Sequence, residues 1–284
     1  MQKSGHAAAD YGGKERRAEM SVRITEEEWE KLTRLIRSTR DYLKDQWSVS
    51  QVYAKGKADY VTNVDQTVQS YIAGKLKEWF PYIDFMGEEK DNRDVNFDGP
   101  VWILDPIDGT TNLIHDFRHS AVSLALYENR EGLIGLVYQP YTDELFYGKK
   151  GEGAFLNGQP ISVSKAKTLE DSLIAVGTSP YRKDLARDNF ELFTRIFLEC
   201  QDIRRTGSAA LDLAYTACGR LEAYIEKNLK PWDFAAGALI VKEAGGQVFT
   251  YDGSPLSVER PCDVAAGNGI IQQILIEKYL KSMM

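Results

Sequence analysis

The chain has 284 residues, 43% hydrophobic and 11% aromatic, which is enough for one large domain or two packed subdomains with a sizeable core. Its 35 basic and 42 acidic residues give a net charge of −7, which argues against a general surface for nucleic-acid polymers or anionic membranes. The three cysteines, Cys200, Cys218 and Cys262, lack metal-ligand spacing and are typical of free thiols in a reducing cytoplasm. No uncharged apolar run approaches the roughly 18 residues of a membrane helix, so we predict a cytoplasmic protein.

Two helices and a loop are predicted in the N-terminal region. Thr25 and Glu28 have the spacing of a capping box, and the apolar residues that follow at helical intervals predict a helix over about 25–47. A loop is predicted at 55–60. Asp65 is then a candidate cap for a second helix.

The most informative stretch begins with Val101–Leu104, which is apolar and β-prone and predicts a buried strand. Pro106 keeps the residue before it extended, because that residue avoids the α region. Gly109 then permits a tight turn, and Thr110 or Thr111 is predicted to cap a following helical turn.

The remaining elements divide the chain into two halves of different character. The first half predicts strands at 83–86, 121–127, 133–138 and 145–147, and Asn157-Gly158 predicts a hairpin. The second half predicts strands at 173–176, 221–225 and 247–250, and helices at 189–198, 209–217, 234–244 and 270–280. We therefore predict a flexible leader over 1–20, an α+β subdomain over 21–167 and an α/β subdomain over 168–284.

Several acidic residues end a predicted strand or begin a predicted helix. They are Glu88, Asp105, Asp108 and Asp233, with Asp65 and Glu226 as weaker members. Two carboxylates about 4 Å apart repel by roughly 4 kcal/mol at an effective dielectric constant near 20, so a cluster needs protonation or a bound cation. Oxygen ligands without histidine or cysteine favour Mg²⁺ or Mn²⁺ over Zn²⁺.

Each acid also has an ordinary structural explanation. A single Asp next to Pro or Gly is usually a turn or cap residue, Asp233 alone would be a helix cap, and Glu88 with Glu89 a solvated pair. Asp105 and Asp108 differ, because both follow a buried strand and capping explains at most one of them. The four acids together therefore favour a metal site.

Other polar residues have two interpretations each. Thr110 either caps a helix or, with Asp65, holds and deprotonates a water molecule near the metal. Gly207-Ser208-Ala209 begins a helix that is either simply capped by Ser208 or meets a ligand hydroxyl. Lys55 and Lys57 are solvated loop charges, or one of them faces a phosphate.

With these residues in place, the chain resembles the inositol monophosphatase family of magnesium-dependent, lithium-sensitive sugar phosphatases. The two family signatures are similar to Trp102–Asn112 and to Trp232–Ala238 extended through Glu243–Gly246. Asp59–Asp65 and Gly87–Glu89 add supporting matches, so that the resemblance spans the chain from about residue 25 to its end.

The resemblance implies a layered αβαβα sandwich that binds two or three Mg²⁺ ions, with Mn²⁺ as a possible substitute. The implied ligands of one ion are Glu88, Asp105 and the carbonyl of Ile107. A second ion would be held by Asp105, Asp108 and Asp233. A third, weaker ion would also contact Glu88.

The resemblance also implies roles around the phosphate. Thr110, Asp65 and Glu88 would be catalytic, with Thr110 and Asp65 activating the water that attacks phosphorus. The amides of Gly109 and Thr110 would bind phosphate. Substrate hydroxyls would meet Asp108, Glu226 and the turn formed by Gly207, Ser208 and Ala209.

The implied activity is hydrolysis of myo-inositol monophosphate or a related phosphorylated polyol or sugar, by a protein that forms homodimers. Two alternatives stay open within the class, fructose-1,6-bisphosphatase and 3′-phosphoadenosine 5′-phosphate phosphatase, because Lys227–Pro231 inserts positive charge beside Glu226. An alternative of another class is a regulatory binding protein on the same scaffold.

Overall fold

The computed structural model describes residues 22–44, 51–56 and 59–283. The predicted leader 1–20, together with Trp47 and Lys57, lies outside these ranges. Within the described helices, none is both long and apolar enough to cross a membrane.

The first helical segment is shorter than predicted. Helix α1 is Glu26–Ser38, and the predicted capping box is present because Thr25 and Glu28 exchange hydrogen bonds. A separate short helix, α2, follows at Arg40–Lys44. Helix α3 is Asn63–Trp79, and its cap is Thr62 instead of the predicted Asp65.

Within the described residues, the predicted loop at 55–60 is wrong. Val52–Gly56 is strand β1 and Asp59–Thr62 is strand β2, and the two pair antiparallel as a separate two-stranded sheet. All five residues of β1 are exposed, so the segment lacks the alternation of buried and exposed residues that marks a half-buried strand.

The first half of the chain builds a seven-stranded sheet in sequence order. Its strands are β3 (Asp84–Gly87), β4 (Pro100–Asp108), β5 (Ala121–Glu128), β6 (Glu131–Gln139), β7 (Glu144–Lys149), β8 (Gly153–Leu156) and β9 (Gln159–Ile161). Only β3 and β4 are parallel; the other neighbours are antiparallel, and Asn157-Gly158 forms the predicted hairpin turn between β8 and β9. The short helix α4 (Thr110–Ile114) follows β4.

The second half builds a five-stranded sheet with helices between its strands. Its strands are β10 (Leu173–Val176), β11 (Asp202–Arg204), β12 (Ala223–Leu229), β13 (Gln247–Thr250) and β14 (Cys262–Gly267), in the spatial order β11-β10-β12-β14-β13. The helices are α5 (Ala186–Phe197), α6 (Ala209–Ala217), α7 (Pro231–Glu243) and α8 (Ile270–Leu275), which continues as a π-helical turn over Ile276–Leu280. Strands β11 and β14 were not predicted from the sequence.

Three apolar clusters define the layers. Residues of α1 and α3 pack on one face of the seven-stranded sheet, α6 and α7 share a core with both sheets, and α5 and α8 cover the other face of the five-stranded sheet. The αβαβα sandwich is therefore confirmed.

Helix α7 packs closely against its neighbours because two contact positions are glycines, one in β6 and one in α7. A Cβ atom added at Gly135 of β6 would lie 2.5 Å from the carbonyl oxygen of Ala236, and one added at Gly237 would lie 2.5 Å from Cβ of Leu213. A larger side chain at either glycine would push the helix away from its neighbours. This close packing fixes the N-terminus of α7 relative to the end of β4.

Candidate active site

Strand β4 ends in a β-bulge that lies between Asp105 and Asp108. Asp105 pairs with Ser123 and Asp108 with Ala121, so the extra residue on β4 forms a bulge between the two acids. The Asp105 carboxylate accepts a 2.9 Å hydrogen bond from the amide of Ile107. Gly109 follows with φ of 89°, a left-handed conformation that favours glycine.

The helix that follows the bulge is capped differently from the prediction. Gly109 is the N-cap of α4 and makes no side-chain cap bond, so Thr110 and Thr111 are not caps. The Thr110 hydroxyl instead lies 3.0 Å from Oδ1 of Asp65 and 3.1 Å from the Ile107 carbonyl oxygen. This leaves Thr110 directed at an acid from another helix.

Asp65 is hydrogen-bonded both to the cap of α3 and to Thr110. Its Oδ2 accepts hydrogen bonds from the amide and hydroxyl of Thr62, which completes a capping box at the start of α3. Its Oδ1 remains for Thr110. Burial raises the pKa of Asp65, while hydrogen bonds from Thr62 and Thr110 oppose this rise.

The sheet and α7 bring the other acids beside the bulge. Glu88 directly follows β3, the parallel neighbour of β4, and its amide donates to the Leu104 carbonyl at 3.2 Å. Asp233 is the third residue of α7 instead of its cap, and its Oδ2 accepts a 2.7 Å hydrogen bond from the amide of Lys230.

The pKa values show that these four acids share one environment. Burial raises the pKa of Asp105 well above its usual range, and negative charge on Glu88, Asp108 and Asp233 raises it further. Burial also raises the pKa of Asp233 well above its usual range, and the negative charges of Asp108 and Glu88 add to this rise. Burial raises the pKa of Asp108 to about 6, against hydrogen bonds from Ser208 and Ala210.

The donor chemistry of this cluster fits a hard divalent cation. All its side-chain donors are carboxylate oxygens, which Mg²⁺ and Mn²⁺ prefer. Because the acids are buried and repel one another, they cannot all ionise near neutral pH without a cation between them. Across 22–44, 51–56 and 59–283, however, no three Asp, Glu, His or Cys side chains already stand as ligands around one point. We therefore expect these carboxylates to turn toward an ion when one binds.

Lys55 forms an ion pair with Glu88, one of the four acids. Its ammonium lies 3.0 Å from Oε1 of Glu88 and also pairs with Glu89. Burial alone would lower the pKa of Lys55, but the two glutamates raise it. Burial raises the pKa of Glu88 to about 7, with the Lys55 charge opposing and the Glu89 charge adding to the rise. Of the two candidate lysines, Lys55 therefore faces the acids, and Lys57 lies outside the described residues.

The turn before α6 forms the wall opposite the bulge. Ser208 is the N-cap of α6, accepting from the amide of Leu211, and its hydroxyl also donates to Oδ2 of Asp108. The amide of Ala210 donates to the same oxygen at 2.7 Å. The cap interpretation of Ser208 is thus correct, and its contact with a ligand hydroxyl stays a prediction.

A cleft of about 440 Å³ contains most of the predicted site residues. Its lining includes Glu88, Asp108, Gly109, Thr110, Gly207, Ser208, Ala209, Glu226 and Asp233. Asp105, Ile107 and Asp65 are nearly or fully buried, next to this wall. The structure therefore brings the predicted residues into one region.

Asp212 is a cleft residue that we did not single out from the sequence. It lines the cleft, and its Oδ1 accepts a 2.8 Å hydrogen bond from the hydroxyl of Thr206. Burial raises its pKa well above the usual range. An acid within the otherwise apolar segment Ala209–Ala217 was the signal that could have identified it.

Comparison with known proteins agrees with this geometry. The profile described as the inositol monophosphatase family matches residues 18–283. The chain is 36% identical over 223 residues to an inositol-1-monophosphatase of Bacillus subtilis, covering 78% of this chain and 84% of that protein. It is 41% identical over 199 residues to Nus factor SuhB of Escherichia coli, covering 70% of this chain and 74% of that protein.

Solved structures are similar as well. The structure of inositol-monophosphate-bound SaIMPase-II, an inositol monophosphatase of Staphylococcus aureus, superposes with a TM-score of 0.76 at 32% identity, covering 89% of this chain and 93% of that one. The fold and the site define a phosphatase of a generally metal-dependent class. The chain belongs to the inositol monophosphatase family.

Proposed function

We propose that the chain is a Mg²⁺-dependent phosphomonoesterase that hydrolyses myo-inositol monophosphate or a related sugar phosphate. The observation that carries the proposal is the buried cluster of mutually repelling acids at the wall of the cleft. The relative from B. subtilis is named an inositol-1-monophosphatase, and SaIMPase-II is described with inositol monophosphate bound, which supports this substrate class.

The acids and one carbonyl would hold the ions. Two or three Mg²⁺ ions, replaceable by Mn²⁺, would be bound by Glu88, Asp105, Asp108, Asp233 and the carbonyl oxygen of Ile107. Bound Mg²⁺ would neutralise the acids, lower the pKa of a water molecule and stabilise charge on the leaving oxygen.

Thr110 and Asp65 would handle the proton of the attacking water. Thr110 donates its hydroxyl hydrogen toward Oδ1 of Asp65, so its oxygen can accept a hydrogen bond from a water molecule. The water proton would pass to Oγ1 of Thr110 while the threonine proton passes to Asp65. Because burial raises the pKa of Asp65, this acid can hold the proton better than an exposed one.

The remaining residues would position the ester. The amides of Gly109 and Thr110 lie at the cleft and would bind phosphate oxygens. Asp108, Glu226 and the turn Gly207–Ala209 would meet substrate hydroxyls. Water then attacks phosphorus directly, without a phosphoenzyme.

The test is phosphate release from a panel of esters, with Mg²⁺ and with EDTA. The panel is inositol 1-phosphate, fructose 1,6-bisphosphate and 3′-phosphoadenosine 5′-phosphate, because the last two are the alternatives within the class. We expect Mg²⁺-dependent release that is highest from inositol 1-phosphate. Absence of release from all three esters would refute the proposed activity.

A regulatory role is the second candidate, favoured by the relatives named Nus factor SuhB. Association with a purified candidate partner that survives in a turnover-deficient Asp108→Asn variant would support it. Loss of association in that variant would count against a role independent of turnover. The predicted homodimer and cytoplasmic location stay predictions.

A further inference from the structure

Glu226 lies in a space that exists only because residue 177 is glycine. A Cβ atom added at Gly177 would lie 1.9 Å from both Cδ and Oε2 of Glu226, well inside van der Waals contact. The amide of Gly177 donates to the Ile225 carbonyl at 2.8 Å, so the backbone there is held next to β12. The Glu226 carboxylate therefore rests against the backbone that follows β10.

Two donors hold this carboxylate from different sides. The amide of Ser179 donates to Oε1 of Glu226 at 2.8 Å, and the hydroxyl of Tyr224 donates to Oε2 at 2.6 Å. Hydrogen bonds to the charged form of an acid are the stronger kind and fix its orientation. Glu226 therefore enters the cleft wall as an already oriented acceptor.

The Ser179 backbone is strained in a way that serves this arrangement. Its φ of 46° is left-handed, a conformation that serine rarely adopts. The Ser179 hydroxyl donates to the Lys227 carbonyl at 2.5 Å, which ties the strained turn to β12. Backbone strain of this kind persists where the surrounding structure over-determines it, often at binding sites.

Tyr224 is linked to the cleft by its hydrogen bond with Glu226. Its side chain is fully buried, whereas Glu226 lines the cleft. Burial, and then the negative charge of Glu226, raises the pKa of the Tyr224 hydroxyl well above its usual range, so the hydroxyl stays a donor at working pH. The hydrogen bond from Tyr224 to Oε2 of Glu226 is therefore the contact through which Tyr224 can position an acceptor at the cleft.

We propose that Tyr224 is a positioning residue that, with Gly177 and Ser179, fixes Glu226 so that the site selects esters carrying free hydroxyls beside the phosphate. The proposal rests on the proposed phosphatase function and on contact between Glu226 and substrate hydroxyls. An acceptor that is already oriented loses little side-chain entropy when a hydroxyl binds, which favours polyol esters over phosphate alone.

The test compares Tyr224→Phe with wild type in Mg²⁺, using the panel ester that wild type hydrolyses best. Inorganic phosphate, which carries no polyol, serves as a competitive inhibitor. We expect KM for the ester to rise about tenfold, the size of one lost hydrogen bond to a charged group, with kcat and the Ki of phosphate changed less than about twofold. Gly177→Ala should change KM in the same direction and by more, because the new Cβ atom displaces Glu226.

Tyr138→Phe is the matched control. Tyr138 is also fully buried, and its hydroxyl donates at 2.8 Å to Asp143 instead of to the cleft. The Tyr138→Phe variant should have the KM for the ester and the Ki of phosphate of wild type. Equal changes in KM and in the Ki of phosphate, or an unchanged KM in Tyr224→Phe, would overturn the positioning proposal. Wild type that hydrolyses no panel ester would instead refute the proposed function.

Discussion

The acid cluster makes the metal-free protein sensitive to pH in a direction that can be worked out. Burial and the other charges raise the pKa of Glu88 from 4.5 to about 7 and that of Asp108 from 3.8 to about 6. Each rise corresponds to about 3 kcal/mol, at about 1.4 kcal/mol per pH unit. Because the acids titrate together, their shifts are not added, and we take about 3 kcal/mol as the change in the free energy of unfolding that the whole cluster causes.

The sign follows from which state binds more protons. Acids whose pKa is raised in the folded state keep protons that the unfolded chain has already lost, so they favour folding at low pH. Their contribution to the free energy of unfolding is complete below about pH 4. It is lost as the pH rises through about 6 and about 7, the folded-state pKa values of Asp108 and Glu88. Mg²⁺ bound between the carboxylates should remove this loss, because it stabilises their charged forms.

The assay is thermal unfolding between pH 5.5 and 8, in EDTA and in saturating Mg²⁺. In EDTA, Tm should fall across this range by roughly 6–12 °C, since about 3 kcal/mol is lost and 1 kcal/mol shifts Tm by about 2–4 °C in a protein of this size. In Mg²⁺ the fall should disappear. Asp105→Asn, which removes one of the repelling charges, should reduce both the fall in EDTA and the gain from Mg²⁺.

Two results would refute this reasoning. One is a Tm in EDTA that is flat or rises from pH 5.5 to 8. The other is a Mg²⁺ effect of equal size in wild type and in Asp105→Asn.

Four further predictions follow, three from the same geometry and one, inhibition by lithium, from membership of the family. Asp105→Asn should abolish phosphate release and weaken Mg²⁺ binding by calorimetry with an unchanged circular dichroism spectrum, and unchanged kinetics would contradict its role. Thr110→Val, which lacks the hydroxyl held by Asp65, should lower kcat by about 10²–10⁴-fold, the range for general acid–base groups, whereas Thr110→Ser should retain most activity. Lys55→Gln should lower the Mg²⁺ concentration for half-maximal activity because the ammonium no longer competes for Glu88, and a higher requirement would contradict this. Lithium should inhibit phosphate release, and full activity in its presence would weaken the assignment of this activity.

The elements predicted well from sequence are those whose pattern is local. An apolar run before Pro106, the Asn157-Gly158 turn and the apolar residues of α6 and α7 indicate their structures without knowledge of the rest of the chain. Strand β14 pairs with β12, about thirty residues earlier in the chain, so local pattern does not identify it. Strand β1 pairs with the neighbouring β2, but all its residues are exposed, so no alternation of buried and exposed residues marks it.

The candidate site was predictable where acids cluster in a motif, as with Asp105 and Asp108. Asp212 has a sequence signal, as an acid within the largely apolar segment Ala209–Ala217, but its hydrogen bond with Thr206 in the preceding turn was not predictable. The support of Glu226 was not predictable either, since Gly177, Ser179 and Tyr224 meet it only after β10 and β12 pair. The roles of these residues in catalysis stay predictions.

The central claim is that Glu88, Asp105, Asp108 and Asp233 turn toward shared divalent ions. The most direct measurement is anomalous diffraction from crystals soaked in Mn²⁺, which locates the ions without reference to activity. We predict at least two anomalous peaks at coordination distance from Asp105, one shared with Glu88 and one with Asp108 and Asp233. Peaks only elsewhere on the protein, or none at this cluster at saturating Mn²⁺, would contradict the account.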